Sequence, residues 1–340
     1  MDVIPHSTNK PPGGCSWQPP NAVDTSALKT ANIKAAAPKV AILMATYDGQ
    51  DFLPQQLASL TQQTHQHWRL WASDDGSSDN TLNILKTFQT ERSNRLLKIQ
   101  HGPQKGFARN FLSLVCNHDI QADYFAFCDQ DDIWEPQKLE RALAKLAQVP
   151  AGSPALYCSR TALISEQGQL IGASPLFQRE PCFANALVQS IAGGNTIVIN
   201  QAARELLCQV GMPNIVSHDW WAYMMVSGCG GTVIYDDYPS VRYRQHPQNL
   251  VGGSVSAGAR LRRVRMLLRG RFKRWNEQNI TALSQAEHLL TPQSHVTLQR
   301  FKQAREHWFR APWHLRQSGV FRQTGMSSTA LYVAAAMRLI

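Results

Sequence analysis

Three carboxylates within four residues, Asp129-Gln130-Asp131-Asp132, follow the apolar run YFAFC and form the densest cluster of potential chemistry in the chain. Like charges this close repel one another unless a cation or strong donors sit among them. A hard divalent ion such as Mg²⁺ or Mn²⁺ takes one or two carboxylates and fills its shell with phosphate oxygens. A D-x-D at a strand end therefore suits a metal-diphosphate grip; it equally suits a solvated turn that caps the next helix. A second acidic step, Asp74-Asp75-Gly76-Ser77, ends an earlier apolar run. A carboxylate there can accept hydrogens from a nucleobase or ribose, although Asp, Gly and Ser also simply make turns.

These residues need a scaffold that brings distant loops to one place. KVAILMAT reads as a short buried strand running into the loop TYDGQ, and Leu53, Leu57 and Leu60 have helical spacing. HWRLWAS is the next strand. After the loop DDGSSDNT, in which Ser78 or Asp79 can cap, comes the helix TLNILKTFQ. Strand LLKIQ, helix ARNFLSLVCNH, strand YFAFCDQ and the amphipathic helix KLERALAKLAQ complete the alternation. Strand-helix alternation over 150 residues predicts a mainly parallel sheet flanked by helices, where ligands gather at the carboxyl ends of the strands. The three polar loops, 46–50, 74–80 and 129–132, occupy those ends. From Ala155 to Gly253 the pattern is mixed, with strands ALYCSR, TIVIN and GTVIYDD between longer loops. The tail after Gly258 reads as mainly helical.

Composition narrows the class. Of the 340 residues, 43% are hydrophobic and 17% charged, as in ordinary globular proteins. The net charge of +10 sits in the tail: residues 256–340 hold 15 Lys and Arg against 3 acids, and the rest carries a net −2. The seven cysteines form no C-x-x-C pair and read as small core fillers in a reducing compartment. Residues 1–37, rich in Pro, Asn, Ser, Thr and Gly, read as a disordered extension. With no apolar leader and no run of about 18 apolar residues, the expectation is a cytoplasmic protein.

The segments VAILMATYDG, ASDDGSSDNT, KGFARNF, FAFCDQDDIW, GGNTIVIN, SHDWW and YRQHPQNLVGG occur in this order between Lys39 and Gly253. Together they make the chain similar to the family 2 glycosyltransferases of GT-A fold, in the bacterial rhamnosyltransferase-like branch. The resemblance implies a catalytic domain over residues 38–255 and a basic helical region over 256–340. It implies an inverting enzyme of cell-surface polysaccharide synthesis, with a nucleotide-sugar donor (dTDP-rhamnose or a UDP-hexose) and a glycan or lipid-linked acceptor. By the same resemblance Thr46, Asp48 and Asp74 line the nucleobase pocket, Asp129 approaches the ribose, and Asp131 holds the Mg²⁺ or Mn²⁺. Asp75 serves its own loop.

On the acceptor side the resemblance places the general base at Asp219. The chemistry requires one, since an attacking hydroxyl of high pKa must lose its proton. Without the resemblance, Asp219 reads as a helix cap before an aromatic stripe; Asp236 and Asp237 are the next acids to consider. Gly194 and Asn195 fall in the acceptor-side loop. Trp220 and Trp221 divide between a sugar-facing ring, assigned to Trp220, and the core. His246 is a further metal ligand in this reading, and Arg244 meets phosphate. Lys105 and Arg109 are alternative diphosphate contacts. Two positions depart from the family pattern: Pro247 stands where glycine is usual and Asp48 where asparagine is usual.

The stretch RLRRVRMLLRGRFKRW sets Leu261, Val264 and Leu268 on one helical face beside Arg262, Arg265 and Arg269. It suits either peripheral docking on the anionic inner face of the plasma membrane or packing on the catalytic domain. No nucleic-acid module accompanies the charge. The competing functions are a catalytically silent nucleotide-sugar binding module and a sugar-nucleotide pyrophosphorylase. The latter wants a basic Gly-rich loop where this chain has TYDGQ.

Overall fold

The computed structural model describes residues 37–246 and 269–340. The expected N-terminal extension up to residue 36, Pro247, and the arginine stripe at Arg262 and Arg265 lie outside the described residues.

Strand β1 (Val40–Thr46) is apolar up to its closing threonine and is buried on both faces. Helix α1 (Leu53–Thr61) follows, with a proline in its first turn where no N–H is missed. The chain then alternates through β2 (Trp68–Asp74), α2 (Thr81–Glu91), β3 (Leu96–His101), α3 (Phe107–Val115) and β4 (Tyr124–Cys128). All four strands are parallel and lie in the spatial order β3-β2-β1-β4. The chain winds outward from β1 to β3 and then returns to the other side of β1. This reversal opens a crevice beyond the carboxyl ends of β1 and β4. Register sharpens the point: Thr46 pairs with Asp74 and Met44 with Cys128, so the three polar loops leave neighbouring strands at one end.

The second half widens the sheet with mixed directions. It comprises β5 (Ile133–Trp134), α4 (Lys138–Leu146), β6 (Ala155–Ile164), β7 (Leu170–Ala173), α5 (Phe183–Ala186), β8 (Val198–Asn200), α6 (Gln201–Val210), α7 (His218–Gly228) and β9 (Thr232–Arg244). Beyond β4 the order continues β8-β6-β9-β5, with β7 paired to β6. Strand β8 is antiparallel to both neighbours, whereas β6 and β9 run parallel. TIVIN yields only three strand residues, because Gly194–Thr196 tightens into a 3₁₀ turn before them. The result is the expected GT-A architecture.

Side chains alternating along β1 feed two cores. Val40, Ile42 and Met44 meet α1, α2 and α4; Ala41 and Leu43 face α3, α6 and α7. The second core does not stop at the sheet. Helices α8 (Arg271–Gln285), α9 (Pro292–Glu306), α10 (Ala311–Ser318) and α11 (Gly325–Ala336) contribute Leu283, Leu298, Phe301, Leu315 and Leu331 to it. Residues Pro38–Ile340 accordingly make one compact unit. Of the two readings of the basic tail, packing describes residues 269–340; the docking stripe itself is centred outside the described residues. No helix among the described residues is long and apolar enough to cross a membrane.

Candidate active site

The β2–α2 loop is organised by Asp74. Its Oδ1 accepts from Thr46 Oγ1 at 2.9 Å and Ser77 Oγ at 2.6 Å, and its Oδ2 from the Gly76 and Ser77 amides at 3.2 and 2.9 Å. All its acceptor positions are filled and it is buried, so Asp74 shapes the pocket rather than offering a free oxygen. Asp75 accepts two amides of the following loop, from Gln104 at 2.7 Å and Gly106 at 3.0 Å, as expected of a loop-holding residue. It accepts only these two among the described residues, so it keeps acceptor capacity that Asp74 lacks.

Asp48 occupies the left-handed backbone region at φ 44°, which Asp and Asn tolerate best among side-chain-bearing residues. Its Oδ1 accepts from the Ser78 amide at 2.7 Å, and its own amide donates to Ser77 Oγ at 2.9 Å. Gln130, in the centre of the acidic motif, reaches across. Its amide donates to Tyr47 O and accepts from Tyr47 N, both at 2.8 Å, imitating a strand partner. A Cβ on Gly49 would lie 2.3 Å from the Gln130 side chain, so this close approach requires glycine. The cap expected at Ser78 or Asp79 falls instead on Asn80, whose side chain makes no capping bond; Asp79, one residue earlier, accepts from the Thr81 amide at 2.9 Å.

The acidic motif divides its labour. Asp132 is fully buried; it accepts from Asn195 Nδ2 at 2.5 Å and from the Arg244 amide at 3.1 Å. Burial and the neighbouring Asp131 and Asp129 push its carboxyl well above the usual range. Asp129 is half-buried and is pushed up to about 8, first by burial, then by the charges of Asp131 and Asp219. The base candidate of the second half thus faces the D-x-D of the first. Asp131 Oδ2 lies 2.8 Å from His246 Nε2, and the His246 ring packs 5.2 Å from Phe52. Among the described residues no three His, Cys, Asp or Glu side chains form a ready metal cluster. A two-residue Asp-His pair still fits a divalent ion that takes its remaining oxygens from a diphosphate.

Asp219 sits in the first turn of α7, half-buried, its Oδ1 accepting the Trp220 amide at 2.7 Å. Its competitors are otherwise engaged or remote. Asp236 is buried in an ion pair with Arg141 at 3.0 Å and accepts from Tyr157 Oη at 2.9 Å; Asp237 is exposed on β9. Gly194 and Asn195 form the turn over this end of α7, and Asn195 ties that turn to Asp132.

Two expectations need correction. Trp220 offers no sugar-facing ring: it is 6% exposed, donates Nε1–H to Ala186 O at 2.6 Å and meets Trp275 edge-on at 6.2 Å. Every residue of α7 except the half-buried Asp219 and Ser227 is buried, so the ring has only core to enter, beside the fully buried Trp221. Arg244 is likewise buried, its guanidinium donating to Asp131 O at 2.9 Å, Glu166 O at 2.6 Å and Gln55 Oε1 at 2.6 Å. It clips two loops to helix α1 from within instead of presenting itself to phosphate. Lys105 is exposed and Arg109 half-buried. Sequence reading did not single out Ser77, Gln130, Asp132 or His218 as site residues; all four stand within motifs it quoted.

Residues 41–199 match the sequence model of glycosyl transferase family 2. The chain is 28% identical over 257 residues to the dTDP-rhamnosyl transferase RfbG of Shigella flexneri, spanning 72% of this chain and 84% of that protein. It is 31% identical over 107 residues to the Escherichia coli UDP-Glc:alpha-D-GlcNAc-diphosphoundecaprenol beta-1,3-glucosyltransferase WfgD, 32% of this chain and 40% of that one. In fold it is similar to S. aureus TarS 1–349, with a TM-score of 0.51 at 14% identity over 88% of this chain and 87% of that chain. The same TarS fragment in complex with UDP-GlcNAc also superposes with a TM-score of 0.51, over 82% of this chain and 79% of that one. The part of the chain that matches glycosyl transferase family 2, residues 41–199, is the part that carries the parallel sheet and the D-x-D at its switch point.

Proposed function

We propose that the chain is an inverting glycosyltransferase that moves a sugar from a nucleoside-diphospho-sugar to a glycan or lipid-linked acceptor in bacterial polysaccharide synthesis. The observation that carries this reading is the convergence of Asp129 and Asp131 with Asp219, carboxylates from opposite halves of the chain, on one crevice. Asp219 takes the proton of the acceptor hydroxyl as that oxygen attacks the anomeric carbon, and the bond to the diphosphate oxygen breaks on the opposite face. One carboxylate base and one displacement invert the anomeric centre.

The nucleobase lies over the Thr46–Asp48 loop, against the Asp75 acceptor that the Gln104 and Gly106 amides hold in place. Asp129 faces the ribose. Asp131 and His246 are the residues that would hold Mg²⁺ or Mn²⁺, which when bound neutralises charge on the departing diphosphate. Lys105 and Arg109, rather than the buried Arg244, are the candidate cations for that diphosphate among the described residues. A rhamnose donor draws on the similarity to RfbG, which is named for dTDP-rhamnose; a UDP-hexose is the competing choice. A lipid-linked acceptor draws on WfgD, named for a diphosphoundecaprenol acceptor, and would suit a protein working at the anionic inner membrane face.

The test is a panel of dTDP- and UDP-sugars offered to the purified full chain with Mg²⁺, with Mn²⁺ and with excess chelator. Slow metal-stimulated hydrolysis or thermal protection by one donor class is the expected result. Undiminished turnover in chelator removes the metal from the reading. Protection by no sugar nucleotide removes the reading itself.

A further inference from the structure

We infer that His218 is a sugar-binding residue whose imidazole exchanges a hydrogen bond with a hydroxyl of the bound sugar beside Asp219. The inference rests on the transferase reading above and deepens it by one contact.

His218 opens α7 and is 4% exposed, and neither ring nitrogen has a hydrogen-bond partner among the described residues. Its ring stacks on Phe111 at 3.9 Å and 20°, with Phe127 edge-on at 5.1 Å and Phe107 at 5.9 Å. An imidazole in such a cage carries at least one N–H that water cannot serve, and leaving it unpaired costs stability. A residue present only to pack would be apolar here, as its three ring neighbours are. A polar group that weakens the free fold is accounted for when a ligand supplies the missing partner.

The location agrees. Asp219 is the next residue in the same helical turn. A Cβ on Gly194 would lie 2.8 Å from His218 Nε2 and 3.6 Å from Asp219 Cβ, so the acceptor-side turn rests directly on both. The turn is pinned at Asn195 to Asp132 of the acidic motif, so Nε2 lies beneath the loop that borders Asp129 and Asp219, and the sugar we infer would reach it by lifting that turn.

The chemistry selects the ligand group. Burial outweighs the nearby Asp219 and pulls the ring down to about 4, so it is neutral at physiological pH. A neutral imidazole has one donor and one acceptor and matches a hydroxyl, which is both; a phosphate calls for a cation. Phe107, 39% exposed beside it, offers an apolar face to the C–H side of a pyranose. The hydroxyl can belong to the donor sugar or to the acceptor sugar, and the measurements below separate them.

Two variants of the full chain carry the test. His218→Leu removes both nitrogens while filling the cage, and His218→Gln returns an amide near Nε2. Melting is measured together with calorimetric binding of dTDP and dTDP-rhamnose (UDP and UDP-glucose if the panel selects uridine) and the Michaelis constant for the acceptor. His218→Leu is expected to melt at or above the wild-type temperature and to bind the free nucleoside diphosphate normally. It should lose up to about tenfold, the weight of one such hydrogen bond, with partial rescue in His218→Gln. If the loss falls on the extra affinity of the sugar nucleotide over the free diphosphate, the hydroxyl is the donor's. If it falls on the acceptor's Michaelis constant, the hydroxyl is the acceptor's. A lowered melting temperature with both sugar readouts intact makes His218 a packing residue and overturns the inference while sparing the transferase reading. A wild-type chain that binds dTDP and UDP sugars no better than the free diphosphates defeats both.

Discussion

The two walls of the crevice are built by different forces. The donor wall, from the ends of β1, β2 and β4, is held by short hydrogen bonds: four donors on Asp74, two on Asp75, and the reciprocal Gln130–Tyr47 pair. The acceptor wall has few such bonds. Helix α7 owes its place to aromatic packing and to helices that begin 50 residues later; Trp220 meets Trp275, and the Asn279 side chain accepts from the Val216 amide at 3.4 Å. A further row of bonds, Asn185 to Phe321 O at 2.9 Å and Gln323 to both ends of Arg179 at 3.0 Å, moors the tail to α5 and its approach. Hydrogen-bonded loops make a rigid, preformed wall, as the proposed nucleotide pocket would need. A packed helix can shift as a unit, which suits the side that must admit a larger acceptor.

Variants can break this comparison or sharpen it. The largest effect is expected for Asp219→Asn, with a loss of about 10²- to 10⁴-fold in turnover. Nucleoside-diphosphate affinity and melting should stay near wild type, because the base belongs to the acceptor wall alone. Near-normal turnover would show that the proton leaves by another route.

Phe301→Ala probes the tail at a fully buried position and should cost about 3–5 kcal/mol of stability. If the acceptor wall depends on the tail as described, transfer declines at lower temperature than nucleotide protection does. Parallel loss of the two would show that the walls melt together.

A smaller effect concerns pH. The Asp129 carboxyl titrates near 8 in the folded chain and near 4 when unfolded, so between these values the folded state binds more protons. Stability of the ligand-free protein should therefore fall as pH rises from about 4 to about 8, and Asp129→Asn should flatten that slope in chemical denaturation. An unchanged slope would mean that Asp129 is ionised throughout. The smallest effect is expected for Asp48→Asn, within about 0.5 kcal/mol. Asparagine tolerates the same positive φ, and its Oδ1 can accept from the Ser78 amide as Asp48 does.

The same contrast explains which features were legible in the sequence. Turn chemistry is local, so DDGSSD and DQDD could be placed at strand ends from residue type and offset alone, and the register bears this out. The direction of each carboxylate was not legible. Whether Asp74 or Asp75 keeps a spare lone pair depends on Thr46 and Gln104, some 28 residues to either side. Arg244 and Trp220 were misread for a related reason. A cation near phosphate-binding loops and a ring beside a catalytic acid look functional until their neighbours are known. Those neighbours, Gln55 and Trp275, are remote in sequence. The two-residue strand β5 carried no periodicity at all; it exists because Ile133 and Trp134 meet β9 more than a hundred residues later.

That last pairing bears on how the chain comes to be folded. By residue 128 the four parallel strands and their helices are complete, and they can collapse while synthesis continues. Strand β8 must then enter beside β4, and β9 must close on both β6 and β5 across a long loop whose closure entropy comes before any reward. Only then can the last helices cover α7, which places Ala334, Ala335 and Ile340 in the same buried cluster as Trp221. The nascent protein therefore passes through a stage with the loops of β1 and β2 formed and the apolar back of α7 uncovered. Chaperone capture and aggregation of truncated chains should concentrate on that surface.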